Sequence, residues 1–99
     1  MTRKDRRYLN LAAQLPCVVC WEHLGVRSPA ELHHPRGHEF GTGTGLKAHD
    51  VIPLCPVHHR IGPDAYHTSP RRFESRFGTQ RELLETTRRL VAELEELSV

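Results

Sequence analysis

Three cysteines and one histidine fall into two pairs with the same spacing, Cys17-Val18-Val19-Cys20 and Cys55-Pro56-Val57-His58. Ligands with two residues between them sit on one short turn, and two such turns can grip a tetrahedral zinc ion from opposite sides. That site takes every cysteine of the chain but only one of its eight histidines. Seven remain, His33, His34, His59 and His67 among them. Imidazole can ligate a divalent cation, and when neutral it can accept a proton near physiological pH. A second, chemically active site is the natural use for that surplus.

Direction divides the histidines further. His58 and His59 are neighbours in a stretch that reads as a short helix, and helical neighbours point about 100° apart. If His58 closes the zinc site, His59 faces elsewhere. His33 and His34 are neighbours in a stretch that reads as a strand, where successive side chains face opposite ways. For both to serve one site the pair must stand at a twisted or terminating strand end, which Pro35 favours. His67 lies eight residues past His59, too far for one helical face, so a loop must carry it back. His23 and His38 read as exposed loop residues.

The elements that must position these groups follow from local pattern. Residues 1–15 predict a short basic helix or arm with Tyr8, Leu11, Ala12 and Leu15 on one face, ended by Pro16. Trp21 and Leu24 follow the first ligand pair and are expected to cover the zinc site. Residues 31–34 predict a first strand and 49–54 a second, with a glycine-rich stretch over 37–45 between them. That stretch matches no nucleotide fingerprint, because no Gly-Lys-Ser/Thr follows it. Ser69 as N-cap with Pro70 at the first helical position predicts a helix ending near Gly78. Thr79-Gln80-Arg81-Glu82 is a capping-box pattern that opens the last helix. In that helix Leu83, Thr87, Leu90, Leu94 and Leu97 recur at four- and three-residue steps, widened by Leu84 and Val91. Such a stripe either packs on its own domain or forms a homodimer seam.

Composition agrees with a metal-stapled fold. The apolar fraction is 37%, and 7 Pro and 7 Gly interrupt the chain. A core this small commonly needs a metal or disulfide to hold it. The odd cysteine count and the lack of an apolar leader argue against a secreted disulfide scaffold and for a cytoplasmic protein with no membrane partner. Net charge is 14 − 12 = +2 with histidine neutral. Arg3, Lys4, Arg6 and Arg7 crowd the start, and Arg60, Arg71, Arg72 and Arg76 follow the ligand region, whereas Glu93, Glu95 and Glu96 sit at the far end. Basic groups near the ligand cluster fit a polyanionic partner. The plainer reading is solvated surface charge.

The stretch from Leu15 to Gln80 resembles the HNH nucleases, the ββα-metal or His-Me finger family. Within it the chain is most similar to the phage-encoded group related to the recombination-associated nuclease Ref. The residues that carry the resemblance are Cys17 and Cys20, His33-His34, the loop Gly41–Lys47, Ala48-His49-Asp50, Ile52-Pro53-Leu54-Cys55, His58-His59 and His67. It extends to Phe73-Glu74 and Phe77-Gly78-Thr79-Gln80. The resemblance implies an α+β fold forming a single domain: a zinc-stabilised ββα-metal core over 16–67, with the basic helix or arm before it and C-terminal helices over 69–97. It makes His34 the general base that activates water and His33 and His59 ligands of a catalytic metal. His67 becomes a third ligand or a phosphate contact. Asp50 matches the position, often Asn in the family, that orients the ring of the base. The catalytic cation would be Mg2+, Mn2+, Zn2+ or Ni2+, and an imidazole-rich set suits the transition metals better than magnesium. Arg36, Lys47, Arg60, Arg71 and Arg72 are the candidate contacts to nucleic acid.

On this reading the chain hydrolyses DNA phosphodiester bonds with a divalent metal, in phage recombination or DNA processing. The alternative is a non-catalytic zinc module that binds nucleic acid or a recombination or packaging partner. That role needs only the four zinc ligands and the basic residues, and it leaves His33, His34 and His59 without a task.

Overall fold

The computed structural model describes residues 2–36 and 50–97. The glycine-rich stretch 37–45, His38, Lys47 and His49 lie outside the described residues. The first helix, α1 (Arg3–Ala12), opens on a reciprocal capping box. Asp5 N–H donates to the Thr2 hydroxyl at 3.0 Å, and Thr2 N–H donates to the Asp5 carboxylate at 3.2 Å. Leu11 and Ala12 are buried, with Tyr8, Leu9 and Leu15 packed around them against Val51 and Val91. The basic segment is therefore a docked helix and not a free arm.

Two short strands, β1 (Glu31–His33) and β2 (Ile52–Leu54), pair antiparallel with Glu31 opposite Leu54 and His33 opposite Ile52. Both are shorter than the sequence predicts. Pro35 has no N–H to extend the ladder beyond His33, and Pro53 sits within β2, as a two-stranded sheet made only of edges allows. Alternation assigns the faces. Leu32 and Val51 point to the α1 side, while Ile52 and Leu54 point to a second cluster with Tyr66, Phe73, Leu83 and Leu84. Glu31 and His33 share that second face by register.

The second member of each ligand pair, Cys20 and His58, lies on a π-helical turn, Cys20–Leu24 and Val57–Ile61, with Cys17 and Cys55 just before these turns. A π turn inserts one more residue per turn than an α-helix and recurs at functional sites. Gly25 closes the first in the left-handed region, at φ 67°, donating to the Cys20 carbonyl. Gly62 closes the second, donating to the Val57 carbonyl at 3.0 Å. A Cβ on Gly62 would lie 2.6 Å from that oxygen, so the closure requires glycine.

Helix α2 (Pro70–Phe77) has Ser69 as N-cap, Pro70 at its first position and Gly78 as C-cap, as its sequence predicts. Helix α3 (Gln80–Leu97) begins with the expected box: Thr79 N–H donates to the Glu82 carboxylate at 2.9 Å and Glu82 N–H to the Thr79 hydroxyl at 3.1 Å. Its stripe packs within the chain, burying Leu83, Leu84, Thr87 and Val91 against β2 and α1. Leu97, the last position of the expected seam, is 83% exposed. The result is a small α+β arrangement, a two-stranded sheet held among helices. Among the described residues no helix is long and apolar enough to cross a membrane.

Phe73 joins the two halves of the larger cluster, stacking edge-on against Tyr66 and Phe77 with 1% of its surface exposed. Phe73→Ala is expected to destabilise the fold by about 3–5 kcal/mol, read as a lowered urea midpoint by circular dichroism.

Candidate metal centres

The two π turns and the residues leading into them bring Cys17, Cys20, Cys55 and His58 together, all four ligand atoms within 4.8 Å of one another. Cys20 N–H donates to the Cys17 sulfur at 3.5 Å, which bends the first pair inward. His58 approaches with Nδ1, at 3.2 Å from Cys55 Sγ, 3.5 Å from Cys20 Sγ and 3.8 Å from Cys17 Sγ. The sulfurs of Cys20 and Cys55 are 3.8 Å apart. Bonds of about 2.3 Å to sulfur and about 2.0–2.1 Å to nitrogen, at the tetrahedral angle, place sulfurs about 3.8 Å apart and sulfur and nitrogen about 3.5 Å apart. The donor set and its spacing fit zinc.

Electrostatics favour the same conclusion. Burial pushes the Cys17 thiol up to about 12, so at neutral pH this sulfur becomes a thiolate only with a cation beside it. Burial, and then His23 and Arg76, hold His58 below the usual histidine range, which keeps its lone pair free. The cover over this cluster differs from expectation. Leu24 is 62% exposed and Trp21 40% exposed, Trp21 lying under the Arg27 guanidinium. Phe77 of α2 packs its ring edge-on against His58 at 5.0 Å. His23, expected as a loop residue without a role, bridges its Nε2 to the Phe77 carbonyl at 3.1 Å and helps hold that cover.

One residue later the same turn aims His59 at a second cluster, His33, His59 and His67, again with ligand atoms within 4.8 Å. The loop that must return His67 does so by backbone pairing. Tyr66 N–H donates to the His58 carbonyl at 2.9 Å and His67 N–H to the His59 carbonyl at 3.0 Å. The Nε2 atoms of His59 and His67 then stand 3.1 Å apart. Two nitrogens each about 2.1 Å from one ion lie about 3.0–3.4 Å apart for angles from 90° to tetrahedral, so this pair fits a shared cation. His33, buried between Tyr66 and the other two rings, is pushed down to about 4, first by burial. His67 is lowered by burial and then by His59. Both therefore offer neutral imidazole at physiological pH.

Two polar side chains tie this cluster to the scaffold. The Glu31 carboxylate accepts from His59 Nδ1 at 3.1 Å and from Arg60 Nε at 2.8 Å. Because a carboxylate only accepts, His59 carries its proton on Nδ1 and turns Nε2 toward the cluster. Gln80, at the start of α3, meets His33 Nε2 through Oε1 at 2.9 Å. Sequence reasoning missed both partners. The signal for Glu31 was its position two residues before His33, on the same strand face; nothing local pointed to Gln80 beyond its place in a capping box.

His34 follows the last residue of β1 and is exposed, outside the cluster of three. Asp50 is buried and accepts from Arg88 Nη2 of α3 at 2.8 Å, an anchor for the start of the second strand. Arg36, Arg60, Arg71 and Arg72 are all exposed; Arg60 pairs with Glu31, and Arg72 lies 3.7 Å from Asp64. Arg76 also bonds Asp64.

Cys17→Ser removes one ligand from the tetrahedral set. The variant is expected to lose its zinc and most of its helical signal at 25 °C, whereas His67→Ala should keep both. Metal analysis and circular dichroism of the two variants check this, and a folded, zinc-replete Cys17→Ser protein would refute the structural assignment.

A model of the family DUF968, described as a protein of unknown function, matches residues 1–92. The chain is also 40% identical over 81 residues to the uncharacterized protein YdfU of Escherichia coli (strain K12). That alignment covers 79% of this chain and 20% of YdfU, so the chain spans about one fifth of this relative's length. With nearly its whole length matched by the family model, the chain belongs to the DUF968 family.

Proposed function

We propose that this chain is a metal-dependent endonuclease domain that hydrolyses DNA phosphodiester bonds, built on the ββα-metal plan of the HNH nucleases. The observation that carries this reading is the convergence of His33, His59 and His67 beside a complete and separate Cys3His cluster. A zinc module alone has no use for three imidazoles brought together from a strand, a turn and a returning loop. The order of elements supports the reading as well: a strand ending at His33 with His34 directly after it, a second strand antiparallel to it, then a helical turn carrying His59.

In this mechanism His33, His59 and His67 hold the cation, and His34 is the base. A divalent cation bound there supplies positive charge against the scissile phosphate and the departing oxygen. His34 stands next to His33 but outside the cluster, exposed to solvent, where a neutral ring can take a proton from an attacking water. Pro35, buried beside it, limits the backbone freedom of the strand end that carries the base. Arg36 and Arg71 are exposed cations on the described surface and, with Lys47, are the proposed phosphate contacts. Such contacts position a duplex without reading its sequence.

Incubation of the zinc-loaded protein with supercoiled plasmid and Mn2+ or Mg2+ should give nicked or linear product that EDTA abolishes. His34→Ala should slow cleavage about 10²–10⁴-fold while leaving zinc content and fold intact. Undiminished cleavage by that variant would remove His34 from the role of base. Plasmid binding with no cleavage under any divalent metal would favour the non-catalytic module.

A further inference from the structure

The side chain of Gln80 occupies an unusual position for the first residue of a helix. It is 3% exposed, and it reaches from α3 to the end of β1, where it meets three polar groups at once. Its Oε1 accepts from the Arg36 backbone N–H at 2.8 Å, its Nε2 donates to the Arg36 carbonyl, and its Oε1 also faces His33 Nε2 at 2.9 Å.

The two contacts to Arg36 remove an ambiguity. An amide can be turned over, exchanging its oxygen and nitrogen, when its partners can both donate and accept. Backbone groups cannot do both. The Arg36 N–H only donates and its carbonyl only accepts, so the atom near the N–H must be Oε1 and the atom near the carbonyl must be Nε2. The oxygen facing His33 is thereby an acceptor, and His33 Nε2 must be the donor. A carbonyl oxygen has two lone pairs and can take both bonds. A neutral His33 with its proton on Nε2 has its free lone pair on Nδ1.

We propose that Gln80 is a positioning residue of the histidine cluster: clamped to the Arg36 backbone, it fixes the tautomer of His33 so that Nδ1 is the atom offered to the cation. This rests on the metal-site reading of the three histidines. The cluster then has a defined asymmetry, with Nδ1 from His33 and Nε2 from His59, whose Nδ1 is held by Glu31. Outer partners of this kind set ring orientation and ligand basicity. The clamp also spans His34 and Pro35, tying the strand end that carries the proposed base to the first turn of α3. That turn is anchored by Leu83, Leu84 and Thr87 in the core, so the reference point is rigid.

The test reads the tautomer directly. Long-range ¹H–¹⁵N spectra of ¹⁵N-histidine-labelled, zinc-loaded protein, with Zn2+ supplied only for the Cys3His cluster, should show His33 protonated on Nε2. Gln80→Glu keeps an acceptor and should retain that tautomer. Gln80→Leu, close in size but apolar, should lose it and bind Mn2+ about 10–100-fold more weakly, read by electron paramagnetic resonance, with zinc content unchanged. His33 protonated on Nδ1 in the wild type would overturn the assignment, and that measurement decides even if Gln80→Leu does not fold. A folded Gln80→Leu with wild-type tautomer and Mn2+ affinity would overturn it too. Absence of Mn2+ binding at the three histidines of the wild type would instead overturn the metal-site reading on which the proposal rests.

Discussion

The π-helical turn Val57–Ile61 is the constraint on which the rest of the molecule depends. It must present two adjacent histidines to two different clusters, His58 to the sulfurs and His59 to the other imidazoles. Its geometry is enforced at both ends. The Cys55 carbonyl accepts from His58 and His59 N–H groups, and Gly62 closes the wide turn onto Val57 at a distance no side chain would allow. If the turn relaxed to another winding, one of the two histidines would rotate away from its partners. The scaffold and the proposed chemistry thus share one piece of backbone.

This sharing explains the distribution of apolar packing. Among the described residues there are two modest apolar clusters, one on each face of the two-stranded sheet. The cluster around Phe73 reaches the Cys3His site through Phe77 and the histidine cluster through Tyr66. The cluster around Val91 fastens α1 to α3. Neither approaches the size of a core that holds a domain on its own. A tetrahedral ion joining residues 17–20 to 55–58 would close a long loop, and structural zinc of this type contributes about 10 kcal/mol or more to folding. Metal and core are complementary here, since the ligand-bearing residues Cys17, Cys20 and Cys55 are themselves members of the larger cluster.

Much of the local structure is legible in the sequence because it is set by neighbours. Ser69-Pro70 and Thr79 to Glu82 specify helix starts through groups three residues apart, and the ligand pairs specify tight turns by the same short reach. The division between His58 and His59 also follows from local geometry, because adjacent residues on any helical turn diverge. Local rules fail where a residue's partner is remote. Trp21 and Leu24 follow the first ligand pair in sequence, yet the ring that covers His58 comes from Phe77, brought in by α2. Asp50 reads as part of a catalytic strand, but Arg88, 38 residues later, draws its carboxylate to α3.

The sequence by itself determined the Cys3His ligand set, the caps and the amphipathic faces, since spacing and side-chain chemistry are enough for each. Only the tertiary structure decided that His67 returns to His59, that Glu31 selects the free nitrogen of His59, and that Gln80 meets His33. Those contacts join residues 8, 28 and 47 positions apart. No periodicity or motif encodes such distances. They arise when a two-residue backbone pairing folds a loop back, when strand register places a carboxylate beside an imidazole, and when a packed helix delivers its first side chain to the end of a strand.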